Sequence, residues 1–117
     1  MTQEATSPAQ VLEIRTRTTP EATIILCTGK INSETSALLH RSVQSLIPES
    51  KRIVLDLTQV NYIDSSGIGM LVRLWYSTKK ADCAFGVVNL SERIKEMLKI
   101  SNLSKMLEGD HEFHKYL

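Results

Sequence analysis

Asp64-Ser65-Ser66-Gly67-Ile68-Gly69 stands between the apolar run Ile53 to Leu57 and a second apolar stretch, Met70 to Trp75. A strand-length run, a polar turn with glycines and a helix-length amphipathic stretch read in that order as strand, turn and helix. Two hydroxyls then lie at the start of a helix, where the first backbone N–H groups lack intrahelical partners and the peptide dipoles add partial positive charge. A phosphate on one of those serines would be well received there. No general base, lysine or second carboxylate stands close to the pair in sequence. The segment therefore reads as a switch written on by another protein, not as a self-sufficient catalytic centre.

The chain has 117 residues, enough for one domain around one core. Fourteen Lys and Arg against thirteen Asp and Glu leave a formal charge of +1, with neither sign gathered into a block. The basic stripe of a nucleic-acid binder is missing, so DNA and RNA are set aside as partners. The longest apolar runs, of four to six residues, fall far below the roughly 20 residues needed to span a bilayer. Met1 to Gln10 is polar and lacks the basic-then-apolar order of a signal peptide. The expected location is the cytoplasm. Cys27 and Cys83, each beside apolar residues, read as buried free thiols.

The small, polar, proline-bearing segment 1–9 is expected to be flexible. A strand from about Val11 to Thr18, the turn Thr19-Pro20-Glu21 and a strand from about Ala22 to Thr28 make a hairpin. Ser33 stands where an N-cap belongs, ahead of the helical spacing Leu38, Leu39, Val43, Leu46 and Ile47, and Pro48 stops that helix. Ile53 to Leu57 reads as an interior strand, with Thr58 to Ile63 carrying the chain across to the Asp-Ser-Ser-Gly turn. The second helix should run from about Ser66 to Lys79. Ala84 to Val88 reads as a further strand, and Ser91 as the cap of a third helix carrying Ile94, Met97 and Leu98. Leu103 to Met106 should form a strand edge or turn before a terminal helix. Strands alternating with helices imply a mixed or partly parallel sheet with helices packed on it.

On the second helix, Ile68, Leu71, Val72 and Trp75 fall at the i, i+3, i+4, i+7 spacing of a core-facing stripe, which makes Trp75 an expected core residue. Met70 and Leu74 fall on the other side with Ser66, Arg73 and Ser77. They are apolar without obvious cause unless a neighbouring helix covers them or they form a docking ridge beside the serines.

Sequence signals for catalysis are weak. Gly67-x-Gly69 lacks the third glycine of a dinucleotide fingerprint, where Val72 stands, and Ser66 lacks both glycines of a nucleophile elbow. Ser77-x-x-Lys80 has an acyl-enzyme spacing without the accompanying motifs. His111-x-x-His114, with only Asp110 and Glu112 beside it, reads as solvated, not as a closed metal site, and His40 as a surface or boundary residue. No convergent catalytic set is present, and the chain is expected not to be an enzyme.

The ordered set Thr-Gly-Lys-Ile-Asn (28–32), Ile-Val-Leu-Asp-Leu (53–57), Val-x-Tyr-Ile-Asp-Ser-Ser-Gly-Ile-Gly (60–69), Asn-Leu-Ser-Glu-Arg-Ile (89–94) and Leu-Lys-Ile-Ser-Asn-Leu (98–103) resembles the STAS domain family, specifically the bacterial anti-sigma factor antagonists. The resemblance implies an α/β fold: a single STAS-like domain over 10–117 with a mixed four- to five-stranded sheet flanked by helices. It implies no cofactor, and a serine phosphorylated by a partner kinase that is itself the anti-sigma factor. The family's acceptor is the serine directly after the aspartate, here Ser65. Unphosphorylated protein would hold the kinase and free the sigma factor; phosphorylation would release it, and a phosphatase would reset Ser65. The expected partner-binding residues are Asn32, Asp64, Ser65, Ser66, Gly67, Met70, Arg73 and Leu74, and a weak homodimer is compatible with the family.

The family's second strand often ends Gly-Glu-(Ile or Leu)-Asp, whereas this chain has Gly29-Lys30-Ile31-Asn32, a base and an amide in place of two acids. That departure favours the alternative of a STAS scaffold or accessory module, in a stress-signalling or transport complex, with no kinase cycle. The family's Ser-Gly-Leu near the C-terminal end appears as Ser101-Asn102-Leu103, which keeps a residue that tolerates a left-handed backbone.

Overall fold

Alternation of buried and exposed side chains along Leu12–Thr18 shows a strand with one face in the core, as the period-two pattern requires. The computed structural model of the protein describes residues 2–5, 12–103, 113 and 115–117. Its elements run Thr2–Ala5 (β1), Leu12–Thr18 (β2), Thr23–Ile31 (β3), Thr35–Leu46 (α1), Arg52–Ile63 (β4), Ser65–Lys80 (α2), Ala84–Val88 (β5) and Glu92–Ile100 (α3), with a 3₁₀ turn at Ile47–Glu49 between α1 and β4. The five strands form one sheet in the order β1-β2-β3-β4-β5. β1, β2 and β3 pair antiparallel, while β3, β4 and β5 pair parallel. This is the mixed sheet with flanking helices expected above.

The β2–β3 turn is closed locally. Thr19 N donates to Ala22 O at 2.8 Å, and Ala22 N to Thr19 Oγ1 at 3.0 Å. The crossovers through α1 and α2 step the same way along the sheet, and right-handed connections then set both helices on one face. Between that face and the helices lies the main core, with Ile25, Leu39, Leu55, Met70, Leu71 and Leu74 fully buried. A smaller cluster of Ala22, Ile24, Val54, Val88 and Phe113 covers the opposite face, with the Arg52 guanidinium 4.6 Å from the centre of the Tyr116 ring. At Gly86 an added Cβ would lie 2.3 Å from the Phe113 ring, so only glycine admits that aromatic. Cys27 and Cys83 are buried and free. Burial, reinforced by the Asp56 charge, pushes the Cys27 thiol far up, and burial raises Cys83 as well.

Several helix ends follow the sequence reading. Ser91 Oγ accepts from Ile94 N at 3.2 Å and caps α3, which buries Ile94 and Leu98. Asn102, at φ 61°, closes the far end: its N–H donates to Lys99 O and the Leu103 N–H to Leu98 O at 2.7 Å. Leu103 packs on the core, which completes a Schellman cap in which asparagine supplies the left-handed residue.

Other expectations change. Residues 2–5 of the segment expected to be flexible are strand β1, which pairs with β2 from Thr2 opposite Arg17 to Ala5 opposite Ile14. Backbone groups on a sheet edge recruit a strand without needing apolar side chains, so Thr-Gln-Glu-Ala carries no readable signal. Thr58 to Ile63 is not a connection but the second half of β4. Two register shifts, between Leu26 and Thr28 and between Gly29 and Lys30, let it continue alongside β3. Of the final expected segment, 104–106 lie outside the described residues, as does the terminal helix apart from 113 and 115–117.

The largest correction concerns the phase of α2. Met70 and Leu74 are fully buried, whereas Val72 and Trp75 are only partly so. At 100° per residue the apolar positions of this helix span an arc of about 200°, from Met70 to Val72. The sequence reading took the half centred near Trp75. In the fold α2 packs on the sheet and against α1 together, and the middle of the arc turns inward. Trp75 sits at the rim, its ring 4.3 Å beneath Lys79 Nζ and edge-on to Tyr76 at 5.2 Å. The docking ridge of Met70 and Leu74 is therefore core. Leu74→Ala should cost about 2–5 kcal/mol, as for other fully buried leucines, and more than Trp75→Ala. Paired urea titrations check both the size and the order.

Candidate functional site

Strands β3 and β4 end side by side, with Ile31 in register with Ile63 and the Asp64 N–H donating to Ile31 O at 3.2 Å. Their ends form the floor on which α2 begins. The approach is close. A Cβ at Gly67 would stand 2.5 Å from Ile63 Cγ1 and 2.8 Å from Ile31 Cγ2. Gly67 is thus a packing residue facing the strands, buried and not available to a partner as expected.

Asp64 leaves β4 in extended conformation and caps α2. Its Oδ1 accepts from Ser66 N at 3.0 Å, Gly67 N at 3.1 Å and Ser66 Oγ at 2.5 Å, while its carbonyl takes Ile68 N at 3.0 Å. The Ser66 hydroxyl, with help from the two backbone N–H groups, holds the Asp64 carboxyl below its ordinary range. This revises the expectation that the helix start offers its N–H groups to a phosphate. Asp64 already takes two of them. It also separates the two serines, because the Ser66 hydroxyl is committed to Asp64 whereas Ser65 is exposed at the first position of the helix.

The second lip of the site is the β3–α1 turn. Asn32 Oδ1 accepts from Glu34 N at 2.9 Å and Thr35 N at 3.1 Å, so Asn32, not Ser33, supplies the side-chain cap of α1. Thr35 Oγ1 answers by accepting from Asn32 N and donating to Lys30 O, each at 2.8 Å. The signal was present in the sequence as Asn-x-x-Thr, but Ser33 stood one residue nearer the helix. Lys30, two residues before Asn32, is exposed beside Tyr62.

Of the eight expected partner-binding residues, Ser65 and Arg73 are exposed and Asn32, Asp64 and Ser66 partly so. Gly67, Met70 and Leu74 are buried. His40, a boundary residue of α1 as expected, titrates below its usual range because of partial burial and, next, the Arg73 charge. Ser77 and Lys80 lie in the last turns of α2. His111 and His114 fall outside the described residues, among which no group of three or more His, Cys, Asp or Glu is placed to hold a metal.

The model of the STAS domain family matches residues 13–115. The anti-sigma-B factor antagonist of Listeria monocytogenes is 28% identical over 98 residues, covering 83% of this chain and 85% of that protein. Among solved structures, an anti-sigma factor antagonist from Mycobacterium paratuberculosis superposes with TM-score 0.73 at 19% identity, covering 86% of each chain. The Bacillus cell fate determinant SpoIIAA in the phosphorylated form gives TM-score 0.65 at 16% identity, covering 80% of this chain and 86% of that one.

The Asp64 cap has a measurable signature. Asp64→Ala should cost about 0.5–2 kcal/mol near neutral pH, the range for losing a side-chain cap. Because the folded carboxyl titrates below its unfolded value, its stabilisation is present above the ordinary carboxylate range and is lost as pH falls through the lowered folded value. Urea midpoints of the two proteins should therefore converge as Asp64 is protonated, and a gap that stays constant into acid contradicts the assignment.

Proposed function

The chain belongs to the STAS domain family, and from that premise we propose that it is an anti-sigma factor antagonist controlled at Ser65. Unphosphorylated, it binds an anti-sigma factor that is also a serine kinase and so frees the sigma factor for transcription. Phosphorylation of Ser65 releases the kinase, which recaptures sigma, and a phosphatase restores the binding form. It works by binding and turns over no substrate, and as a regulator of sigma factors it acts in the cytoplasm. No helix among the described residues is long and apolar enough to cross a membrane.

One observation carries this reading: Ser65 is exposed on the first turn of α2, next to an aspartate whose carboxylate is tied up by the helix it caps. Ser65 can therefore meet a kinase active site without unfolding anything. Asp64 is occupied and titrates low, so the base that takes the hydroxyl proton and the ATP both come from the kinase. The Ser65 Oγ–P bond forms as the β,γ bond of ATP breaks.

A phosphate adds about −1.5 to −2 charges beside an ionised Asp64 that already holds the N–H groups it would otherwise use. A docked surface would have to desolvate both anions, which favours release. The relatives named as anti-sigma factor antagonists support this reading. Asn32 no longer speaks for the scaffold alternative, because its amide oxygen performs the capping that an aspartate would perform. Lys30 alone changes the charge at that lip.

Incubation with cognate anti-sigma kinases and ATP, followed by site-resolved mass spectrometry and binding titrations, tests the proposal. Phosphate is expected on Ser65 and not on Ser66. Ser65→Ala should bind permanently, and Ser65→Asp weakly, since one carboxylate imitates a dianion imperfectly. Phosphate confined to Ser66, or full-affinity binding by the Ser65-phosphorylated protein, would replace this mechanism with the scaffold.

A further inference from the structure

Leu12, Ile14 and Thr16 of β2 are buried, so strand alternation sends Glu13, Arg15 and Arg17 to the sheet face opposite α1 and α2. Register carries that face across the sheet in two rows. Arg17 stands opposite Ile24, which pairs with Val54, and Val54 with Gly86. Arg15 stands opposite Leu26, which pairs with Asp56, and Asp56 with Val88. Phe113 and Tyr116 pack on Ala22, Ile24, Val54 and Val88. Leu26 lies outside that cluster and is only half-buried. Over it opens a cavity of about 390 Å³, lined by Arg15, Arg17, Ile24, Leu26, Asp56 and Leu117. That is a small-molecule volume, with an apolar floor and a few polar groups.

The polar groups are held differently. Arg15 is engaged: its Nε lies 3.1 Å from Glu13 Oε1, and Glu4 stands in register across from it on β1. Asp56 Oδ1 accepts from Thr58 N at 2.9 Å, Thr58 Oγ1 at 2.6 Å and Asn89 Nδ2 at 3.1 Å, so neutral donors fix this carboxylate. Arg17 is exposed, and among the described residues neither Arg17 nor Asp56 forms an ion pair. The other two cations of this face, Arg52 and Lys115, lie against the Tyr116 ring. Arg52 also donates to Glu21 O at 3.2 Å. Arg17 and Asp56 stand two strands apart, roughly 10 Å between strand axes, with Ile24 and Leu26 between them. The long Arg17 side chain can fold across that floor toward the carboxylate.

We propose that this cavity binds a free α-amino acid with an apolar side chain, such as leucine or phenylalanine. The Arg17 guanidinium takes its carboxylate, Asp56 takes its ammonium, and its side chain covers Ile24 and Leu26 beside Leu117. A simple anion would be brought up against Asp56 and a simple cation against Arg17, each without its counterpart, whereas a zwitterion satisfies both. A polar zwitterion would leave the floor wet. Ser65 belongs to α2, on the other face of the sheet, so the inference does not rest on the reading of that serine.

Isothermal titration calorimetry of the full chain tests it, with L-leucine and L-phenylalanine beside three probes that each lack one part. These are glycine without the side chain, leucinamide without the carboxylate and isocaproate without the ammonium. At least one of the two amino acids should bind saturably, one per chain, and each trimmed probe at least tenfold more weakly. Arg17→Gln should keep its urea midpoint and weaken the amino acid at least tenfold while leaving leucinamide unchanged. Asp56→Asn keeps the oxygen that Thr58 uses and should lose the amino acid by the same factor, but not isocaproate. Absence of binding by both amino acids at millimolar concentration overturns the site. Equal affinity for leucinamide or isocaproate overturns the zwitterion, and unchanged affinity in Arg17→Gln overturns the placement. If Asp56→Asn lowers the midpoint, its loss is structural and Arg17→Gln alone decides.

Discussion

Gly67 has no side chain, and because of that the first turn of α2 can lie directly on the ends of β3 and β4. The neighbouring carbons are Ile63 Cγ1 and Ile31 Cγ2, both close enough to exclude a methyl group. Helix packing at this distance holds the two parallel strands and the helix start as one unit. The hydrogen bond from Asp64 N to Ile31 O fixes the same junction from the backbone side. The position of Ser65, the cap made by Asp64 and the direction in which α2 leaves all depend on that contact.

From this junction the polar chemistry divides. Asp64 faces inward along the helix start, where its carboxylate is satisfied by two N–H groups and the Ser66 hydroxyl. Ser65 faces outward. Two adjacent hydroxyls of the same type thus acquire different roles, one a part of the cap and one open to modification. On the other lip Asn32 and Thr35 exchange hydrogen bonds with the backbone of the β3–α1 turn, so the surface around Ser65 is rigid on both sides. A rigid surface suits control by charge, because an added phosphate changes the potential without rebuilding the fold.

The two faces of the sheet are treated differently. The α1–α2 side buries the larger apolar cluster between the sheet and the two helices. The opposite side is covered in part by Phe113 seated on Gly86, with Tyr116 under Arg52. The α1–α2 layer and the C-terminal cover thereby lie on opposite faces of one sheet.

Local features with a local physical cause were legible in the sequence. The bounds of β5, the Ser91 cap of α3, the left-handed Asn102, the buried thiols and the start of a helix at the Asp-Ser-Ser-Gly turn all follow from residues a few positions apart. The cap of α1 was nearly legible, but Asn32 and Ser33 compete for the role, and only the path of the chain leaving β3 selects Asn32. The length of β4 depends on register shifts in β3, and strand β1 on the free edge of β2; neither leaves a mark in its own residues. The phase of α2 was decided furthest from the sequence. Its apolar residues cover more than half of the helix circumference, so periodicity alone permits several orientations, and only the combined contact with the sheet and α1 turns Met70 and Leu74 inward, leaves Trp75 at the rim and keeps Ser65 exposed.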